Sequence, residues 1–466
     1  MPPVPAPVSR SIGVLSLVIG LLVLGRELHL WESAARLVVI PVILVVLVAI
    51  PYVSRSRRLF VTAAAALSAA NLVWNQDWQA TLTAGFVAAS FIGAFFAALT
   101  TLKSAAETSP AIRRCGRFLA QQPPGTRYLA LTLGGQLFGL LLNYGAISLL
   151  GSMSVSNAAL EPNEEIRRHR IRRMLLAIQR GFISILPWSP LSFAIAISTT
   201  LIPGASWAQS ALPGLVNGTL LAGVGWMLDT VFKPTLSSPL PPRQKPEGNW
   251  FAVMPLLLLL LLLVGLLAGT YLVTGIRVLA LVMIVVPLLS MVWVFVQNFR
   301  QQPLRQLGRR VNGYLMVELP AFRGEMVLLM MAGFLGTVAS PLLGSLMSAL
   351  HIDLGVLPAW LILVVIVWFI PIVGQFGMNP ILATSLIAPL LPGAAQLGIS
   401  PTAIVTALTA GWILSGVSSP FTATTLLVGN FGGVSSTHVG QRWNGLYTIL
   451  CATILSAWVV VYAIAF

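Results

Sequence analysis

Two six-residue segments hold the most chemical promise in this chain. One reads Pro187-Trp188-Ser189-Pro190-Leu191-Ser192, the other Val417-Ser418-Ser419-Pro420-Phe421-Thr422. Both have the form Ser-Pro-apolar-hydroxyl, and both interrupt long apolar runs, 178–203 and 402–430. Proline cannot donate the internal helical hydrogen bond, and its ring clashes with the preceding turn. Beside serine it can unwind a helix in mid-run. The half-helix beyond such a break presents free N–H groups and the positive end of its dipole. Carbonyls freed before the break can hold a cation, and hydroxyls add neutral ligands without burying a charge. The competing reading is a proline kink whose hydroxyls bond back to the local backbone. One motif alone would favour the kink. Two, each downstream of an apolar segment broken at an Asn, favour a binding site.

The rest of the chemistry is sparse. Of twelve acidic residues, none falls in the middle of an apolar run, and Asp229 and Glu325 come nearest. A cation/proton antiporter generally needs a carboxylate inside the membrane, so an anionic or neutral substrate is favoured. His29, His169, His351 and His438 all read as residues of connections. Cys115 and Cys451 offer neither a disulfide framework nor a metal spacing. An intramembrane hydrolase would need a buried base beside a serine, or paired aspartates. The expectation is therefore no enzyme, no cofactor and no resident metal.

These residues must be positioned by membrane helices. Only 8% of the chain is charged, 57% is hydrophobic and the mean hydropathy is +0.90, whereas soluble domains carry about 25% charge. Several runs reach the ~20 residues that cross a bilayer, the plainest being Phe251–Val273 with its leucine tract Leu256–Leu263. The net charge of +15 would suit nucleic acid, but the cations sit in short connections, as the positive-inside rule asks of cytoplasmic loops. No nucleic-acid partner is expected. Arg26, Glu27 and Glu32, not a cleavage site, follow the stretch Ile12–Leu24, which reads as a retained first span. The fold class is an all-α polytopic protein of the inner membrane.

Apolar segments lie at about 11–26, 35–53, 59–74, 83–102, 128–153, 178–203, 208–231, 251–273, 278–297, 326–350, 356–392, 402–430 and 443–465. Basic connections occur at Arg55, Arg57 and Arg58, at Lys103, Arg113, Arg114, Arg117 and Arg127, and at Arg167, Arg168, Arg170, Arg172 and Arg173. The last two flank the single segment 128–153, and both should be cytoplasmic. A re-entrant hairpin over 128–153 resolves the conflict, with Asn143-Tyr144-Gly145 at its tip and Gly134, Gly135 and Gly139 within it. Non-helical backbone at that depth is tolerated only where protein or a cavity surrounds it. Segment 356–392 is too long for one span and is broken at Gly374-Gln375-Phe376-Gly377-Met378-Asn379-Pro380, so it reads as a second hairpin. Eleven spans remain. The 232–250 linker (Lys233, Arg243, Lys245) and the 298–323 connection (Arg300, Arg305, Arg309, Arg310, Arg323) then fall inside, Asp77 and Asp353 outside, the N-terminus inside and the C-terminus outside. The chain divides into N-terminal spans (1–58), a first repeat (59–231; hairpin 128–153, broken helix 178–203), the 232–250 linker, and a second repeat (251–466; hairpin 356–392, broken helix 402–430). Five spans between the hairpins make them enter from opposite faces, the plan of an inverted repeat. A rival register, matching Leu149-Leu150-Gly151-Ser152 with Leu342-Leu343-Gly344-Ser345, agrees less well with this topology. Arg167–Arg173 reads as a topology signal, with an amphipathic surface helix near anionic lipid as the alternative.

From about residue 59 onward, this arrangement resembles the ion-transporter superfamily, and within it the divalent anion:sodium symporter group. In that group, hairpin-tip Ser-Asn-Thr motifs bind sodium and the substrate carboxylate. The matching stretches here are Leu142-Asn143-Tyr144-Gly145-Ala146-Ile147-Ser148 and Met378-Asn379-Pro380-Ile381-Leu382-Ala383-Thr384-Ser385. Each keeps the Asn, and the two Ser-Pro motifs lack the Asn of the group's broken-helix motif. The resemblance implies substrate and ion contacts at Asn143, Tyr144, Gly145, Ser148, Ser189, Ser192, Asn379, Thr384, Ser385, Ser418, Ser419 and Thr422. It implies Na+ at Asn143 and Asn379, or H+ as the coupling ion instead. It further implies a mobile domain of hairpins and broken helices, a scaffold that includes 35–53, 251–273 and 278–297, and a homodimer. The expected function is secondary active transport of a small anion, a carboxylate, by elevator-type alternating access. The alternatives are an ion antiporter or inorganic-anion exporter of the same superfamily, and a membrane-embedded enzyme or lipid-handling protein.

Overall fold

The computed structural model describes residues 5–466 except 32, 108, 235, 238–247, 300–301 and 352. Glu32, Arg243, Lys245 and Arg300 thus lie outside the described residues. Among those described, every regular element is helical, as an all-α membrane protein requires. Among the described residues, nine helices are long and apolar enough to cross a bilayer: Ala6–Glu27, Ala34–Tyr52, Trp78–Ala106, Trp207–Val231, Trp250–Thr274, Val278–Gln297, Arg323–Ala349, Pro401–Gly432 and Gly445–Ala465. Two of the eleven expected spans fall outside this set. Arg55–Trp74 is a 20-residue helix whose first turn carries Arg55, Arg57 and Arg58. The first broken helix is split into pieces of 20 and 9 residues, Glu164–Ile183 and Phe193–Leu201.

Both expected hairpins are helix–turn–helix units. The first joins Arg127–Leu142 to Gly145–Ala158 through Asn143 and Tyr144. The second joins Ala359–Gln375 to Pro380–Ile387 through residues 376–379. The turns differ in chemistry. Asn143 takes φ +51 with ψ −131, a positive-φ conformation that side chains rarely adopt, while the second turn assigns its positive φ, +93, to Gly377.

Two basic connections differ from the sequence reading: Lys103 lies in Trp78–Glu107 and Arg113, Arg114 and Arg117 in a short helix, Pro110–Ala120, and the third connection is helical as well. Arg167, Arg168, Arg170, Arg172 and Arg173 are not in a loop but in the first half of Glu164–Ile183. The cause is local: Asn163 caps the helix, its side chain accepting from the Ile166 N–H at 3.1 Å, and Glu164 and Glu165 occupy the positive first turn. Likewise His169 lies in that helix and His438 in a π-helical turn, His438–Trp443, whereas His29 and His351 do lie in turns.

Helix Trp78–Glu107 forms the hub of one packing group, lying against Arg323–Ala349, Val278–Gln297 and Ala6–Glu27. The hairpins and broken helices form another. The first arm of each hairpin packs along the first half of the broken helix in its own repeat. Close backbone approach makes this possible. A Cβ on Gly181 would lie 2.2 Å from the Thr132 carbonyl oxygen, and one on Gly411 2.8 Å from that of Ile366. Small residues at such crossings are how membrane helices gain packing where water supplies no hydrophobic drive.

Candidate functional site

The two breaks share a hydrogen-bond pattern, position for position. Ser189 Oγ accepts from the Leu191 N–H at 3.1 Å, and Ser419 Oγ from the Phe421 N–H at 3.3 Å. Ser192 Oγ donates to the Leu186 carbonyl at 2.7 Å, and Thr422 Oγ1 to that of Gly416 at 3.0 Å, six residues back in each case. The N–H of Ser189 donates to Ile185 O, and that of Ser419 to Ser415 O. Trp188 Nε1 donates to Ser184 O at 2.9 Å, and Ser418 Oγ to Leu414 O at 2.7 Å. Every pair is 230 positions apart in the sequence, as are Gly181 and Gly411. This correspondence is the register set by the two Ser-Pro motifs.

Beyond each break the short second half crosses over. Phe193–Leu201 packs against Pro401–Ser418 and against Pro380–Ile387 of the second hairpin, and Ala423–Gly432 packs against Glu164–Ile183 and against Gly145–Ala158 of the first. Each broken helix is thus closed by the second arm of the opposite hairpin. That reciprocal exchange brings the two breaks into one packed unit.

Within this unit the expected site residues fall into three groups. Ser192, Ser418, Ser419 and Thr422 donate their hydroxyl protons to backbone carbonyls, as the kink reading foresees. Ser419 does so across elements, to Gly374 O in the second hairpin at 2.6 Å, and Gln375 Nε2 donates to Ser418 Oγ at 3.2 Å. Ser189 differs: buried at 1% exposure, its oxygen accepts, but its proton reaches no acceptor among the described residues. Thr384 and Ser385 form the second group. Both are fully buried with unpartnered hydroxyls, unusual where burial normally demands a hydrogen bond. The tips form the third. Asn379 is spent on capping its own helix, accepting from the Ile381 N–H at 2.9 Å. Asn143 is half-buried and lines a small cavity of about 40 Å³ with Gly139, Leu191, Thr100 and Lys103. That volume holds an ion or a water or two, not an organic substrate. Tyr144 is exposed and lays its ring against Phe182, and Gly145 and Ser148 begin the second arm, both half-buried. No hydrogen bond or ring contact joins the Asn143 tip to the Asn379 tip among the described residues.

A polar cluster absent from the sequence reading lies beneath the first break. Arg180 is 4% exposed on Glu164–Ile183. Its Nε donates to Asn444 Oδ1 at 3.1 Å, Nη1 to the Tyr128 hydroxyl at 3.3 Å and Nη2 to Trp443 O at 3.4 Å. The guanidinium lies 4.3 Å from the centre of the Tyr447 ring. Asn444 Nδ2 in turn donates to Gln179 Oε1 at 3.0 Å, leaving Gln179 Nε2 buried and unpartnered. None of Arg180's partners is a carboxylate. The signal was present in the sequence, for Arg180 stands inside the apolar run 178–203, and an ionisable residue there is a functional candidate by default. The two acidic residues nearest the spans pair elsewhere. Asp229 takes two bonds from Arg173, at 2.6 and 2.7 Å, and Glu325 one from Arg57 at 2.9 Å.

Comparison with known proteins gives a likeness of fold. The structure of the YdaH transporter of Alcanivorax borkumensis superposes with a TM-score of 0.58 at 16% identity, over 87% of this chain and 98% of that one. MtrF of Neisseria gonorrhoeae, from a class described as antimetabolite efflux pumps, superposes with a TM-score of 0.50 at 11% identity, over 88% and 96%. No family model and no curated protein matches the sequence. The chain shares the fold of these two proteins, and membership of the divalent anion:sodium symporter group is not what these likenesses show.

Proposed function

We propose that this multi-pass membrane protein is a secondary active transporter of a small anion, a carboxylate, working by alternating access. One observation carries the reading: two breaks with the same hydrogen-bond pattern, each closed by the hairpin of the opposite repeat. Such an exchange lets hairpins and broken helices move as one body against the packing group around Trp78–Glu107, in the manner of an elevator. The buried Arg180, neutralised by no carboxylate, supports an anionic cargo. Ser189, with a proton to give, is placed to hydrogen-bond it beside the N-terminus of Phe193–Leu201. The unpartnered hydroxyls of Thr384 and Ser385 suit a dehydrated cation, so sodium coupling belongs at the second hairpin. There Asn379 serves with what its cap leaves over, since only its Oδ1 is engaged, by the Ile381 N–H, while Asn143 serves at the first. H+ is the alternative coupling ion. Inner-membrane location, a cytoplasmic N-terminus with an external C-terminus, and a homodimer complete the proposal.

Export rather than uptake is the second reading, favoured by the likeness to the fold of MtrF. Proteoliposomes test both. Labelled mono- and dicarboxylates should accumulate under an imposed sodium or proton gradient of one polarity, and the polarity gives the direction. Movement of no anion under either gradient would sink the proposal.

A further inference from the structure

A second feature lies outside the hairpin and broken-helix unit. Between Ala6–Glu27, Trp78–Glu107 and Val278–Gln297 there is a cavity of about 270 Å³, lined by Leu21, Ala97, Met291, Leu307, Arg310 and Tyr314 among others. Its walls are overwhelmingly apolar. It is well above the ~150 Å³ that suffices to hold a benzene ring in a dry protein cavity. Leu21 is 53% exposed and Met291 37%. Both stand on helices long and apolar enough to span the bilayer, so this mouth opens sideways to lipid.

Its other end is closed by a short helix, Pro303–Gly313. Leu304, Leu307 and Val311 fall on one side, at helical spacing, and Arg305, Arg309 and Arg310 are interleaved with them. No residue of this helix is buried, and Leu304 is 75% exposed. Leu307 and Val311 turn to the cavity and Leu304 outward, and short basic amphipathic helices of this kind lie in the plane of a membrane interface. Arg310 turns inward from it. Its Nη2 donates to Ser104 O at 2.6 Å and its Nη1 lies 3.2 Å from Glu318 Oε1. Its Nε is buried and has no partner. The helix thus carries three arginines and no acid of its own, and Arg310, the one that lines the cavity, is paired with Glu318 yet keeps one donor unspent.

We infer that this is a binding site for one anionic phospholipid, with an acyl chain in the cavity and the phosphate against Arg310 at the interfacial helix. The shape supplies the chain's place, and the surplus of positive charge selects the headgroup. Basic pockets between membrane helices commonly take anionic headgroups in this way. The occupant would brace Ala6–Glu27 against Val278–Gln297 by filling space that no protein side chain fills. The site is independent of transport, so its fate does not depend on that of the proposed function.

Full-length protein in detergent tests it, by native mass spectrometry and by thermal shift. Dioleoylphosphatidylglycerol should be retained and should raise the melting temperature. Dioleoylphosphatidylcholine, with the same chains, and inorganic phosphate alone should do neither. Arg310→Gln should weaken retention of the phosphatidylglycerol about tenfold, the worth of one charge-assisted hydrogen bond. Ala97→Leu, which fills the cavity, should abolish it. If Ala97→Leu fails to fold, Arg310→Gln decides the matter alone. Equal retention of both lipids, an equal shift with inorganic phosphate, or undiminished retention by Arg310→Gln overturns the inference. A folded Ala97→Leu protein that keeps its lipid, or that loses a dimer instead, overturns it as well and makes the occupant something else.

Discussion

The two breaks follow one backbone design but use it differently. The first is long, from residue 184 to residue 192, whereas the second is only residues 419–422. Pro187 accounts for the difference. It lacks the N–H that would reach the Ile183 carbonyl, which accepts from Leu186 instead, at 3.1 Å, so unwinding begins early. The matching position in the second repeat is Val417, which continues the helix. The serines diverge too. Ser419 ties its break to its own hairpin through Gly374 O, while Ser189 keeps its proton. Deeper still, Arg180 in the first repeat corresponds to Ala410 in the second. At the breaks themselves, therefore, the first repeat carries the charge and a serine with a spare proton, whereas the second is tied to its own hairpin and keeps its unpartnered hydroxyls, Thr384 and Ser385, in that hairpin's second arm. A symmetrical backbone with asymmetrical side chains can bind a cargo on one side of its pseudo-axis and hold shape on the other.

Arg180 gives the largest expected break in that comparison. Arg180→Leu would leave the Tyr128 hydroxyl, Asn444 Oδ1 and Trp443 O without their donor in a buried place. Each buried neutral group left without its partner costs about 1–3 kcal/mol, so the purified protein should melt markedly lower and transport should be lost. Arg180→Lys should not restore either, because one ammonium cannot span three acceptors held by a planar fork. Unchanged melting in Arg180→Leu would mean that the first repeat is no more dependent on buried polarity than the second.

What sequence could reveal here follows from how far each signal reaches along the chain. Hairpins and breaks were legible because proline, glycine and asparagine act on their own neighbours. A 230-residue offset between two Ser-Pro motifs then fixes the register of both breaks. The start of Glu164–Ile183 was legible in principle from Asn163, Glu164 and Glu165, but five arginines in seven residues outweighed the cap and read as a loop. Arg180's partner Asn444 is 264 positions away, and no local pattern announces it. Nor could sequence say that Ser192, Ser418, Ser419 and Thr422 would spend their protons on carbonyls while Ser189 would not. That distinction depends on which carbonyl each turn leaves within reach.

Ser419 comes next in size. Ser419→Ala removes a buried 2.6 Å bond and leaves the Gly374 carbonyl without that donor, at a cost of about 1–2 kcal/mol. A lowered melting temperature is expected, together with faster hydrogen exchange at residues 374–380 as the hairpin loosens from the break. Normal exchange there would show that the second hairpin is held by packing alone, and the contrast between the repeats would narrow to Arg180 and Ser189.

Ser189 should have the smallest effect on stability and the most specific effect on transport. Its hydroxyl gives no proton to the protein, and the bond it accepts, from the Leu191 N–H, is a local turn contact at 3.1 Å. Ser189→Ala should therefore change the melting temperature less than Ser419→Ala does. If the proton is kept for the cargo, its loss removes one hydrogen bond of about 0.5–1.5 kcal/mol. The half-saturation concentration should then rise about two- to tenfold, with the amount of folded protein unchanged. Ser345→Ala, at an exposed serine bonded to Pro341 O, should alter neither quantity. Ser189→Thr keeps the donor and should preserve affinity if the buried pocket tolerates one more methyl group. An unaltered half-saturation concentration in Ser189→Ala would make both breaks mere kinks, and the asymmetry between the repeats would then concern stability alone.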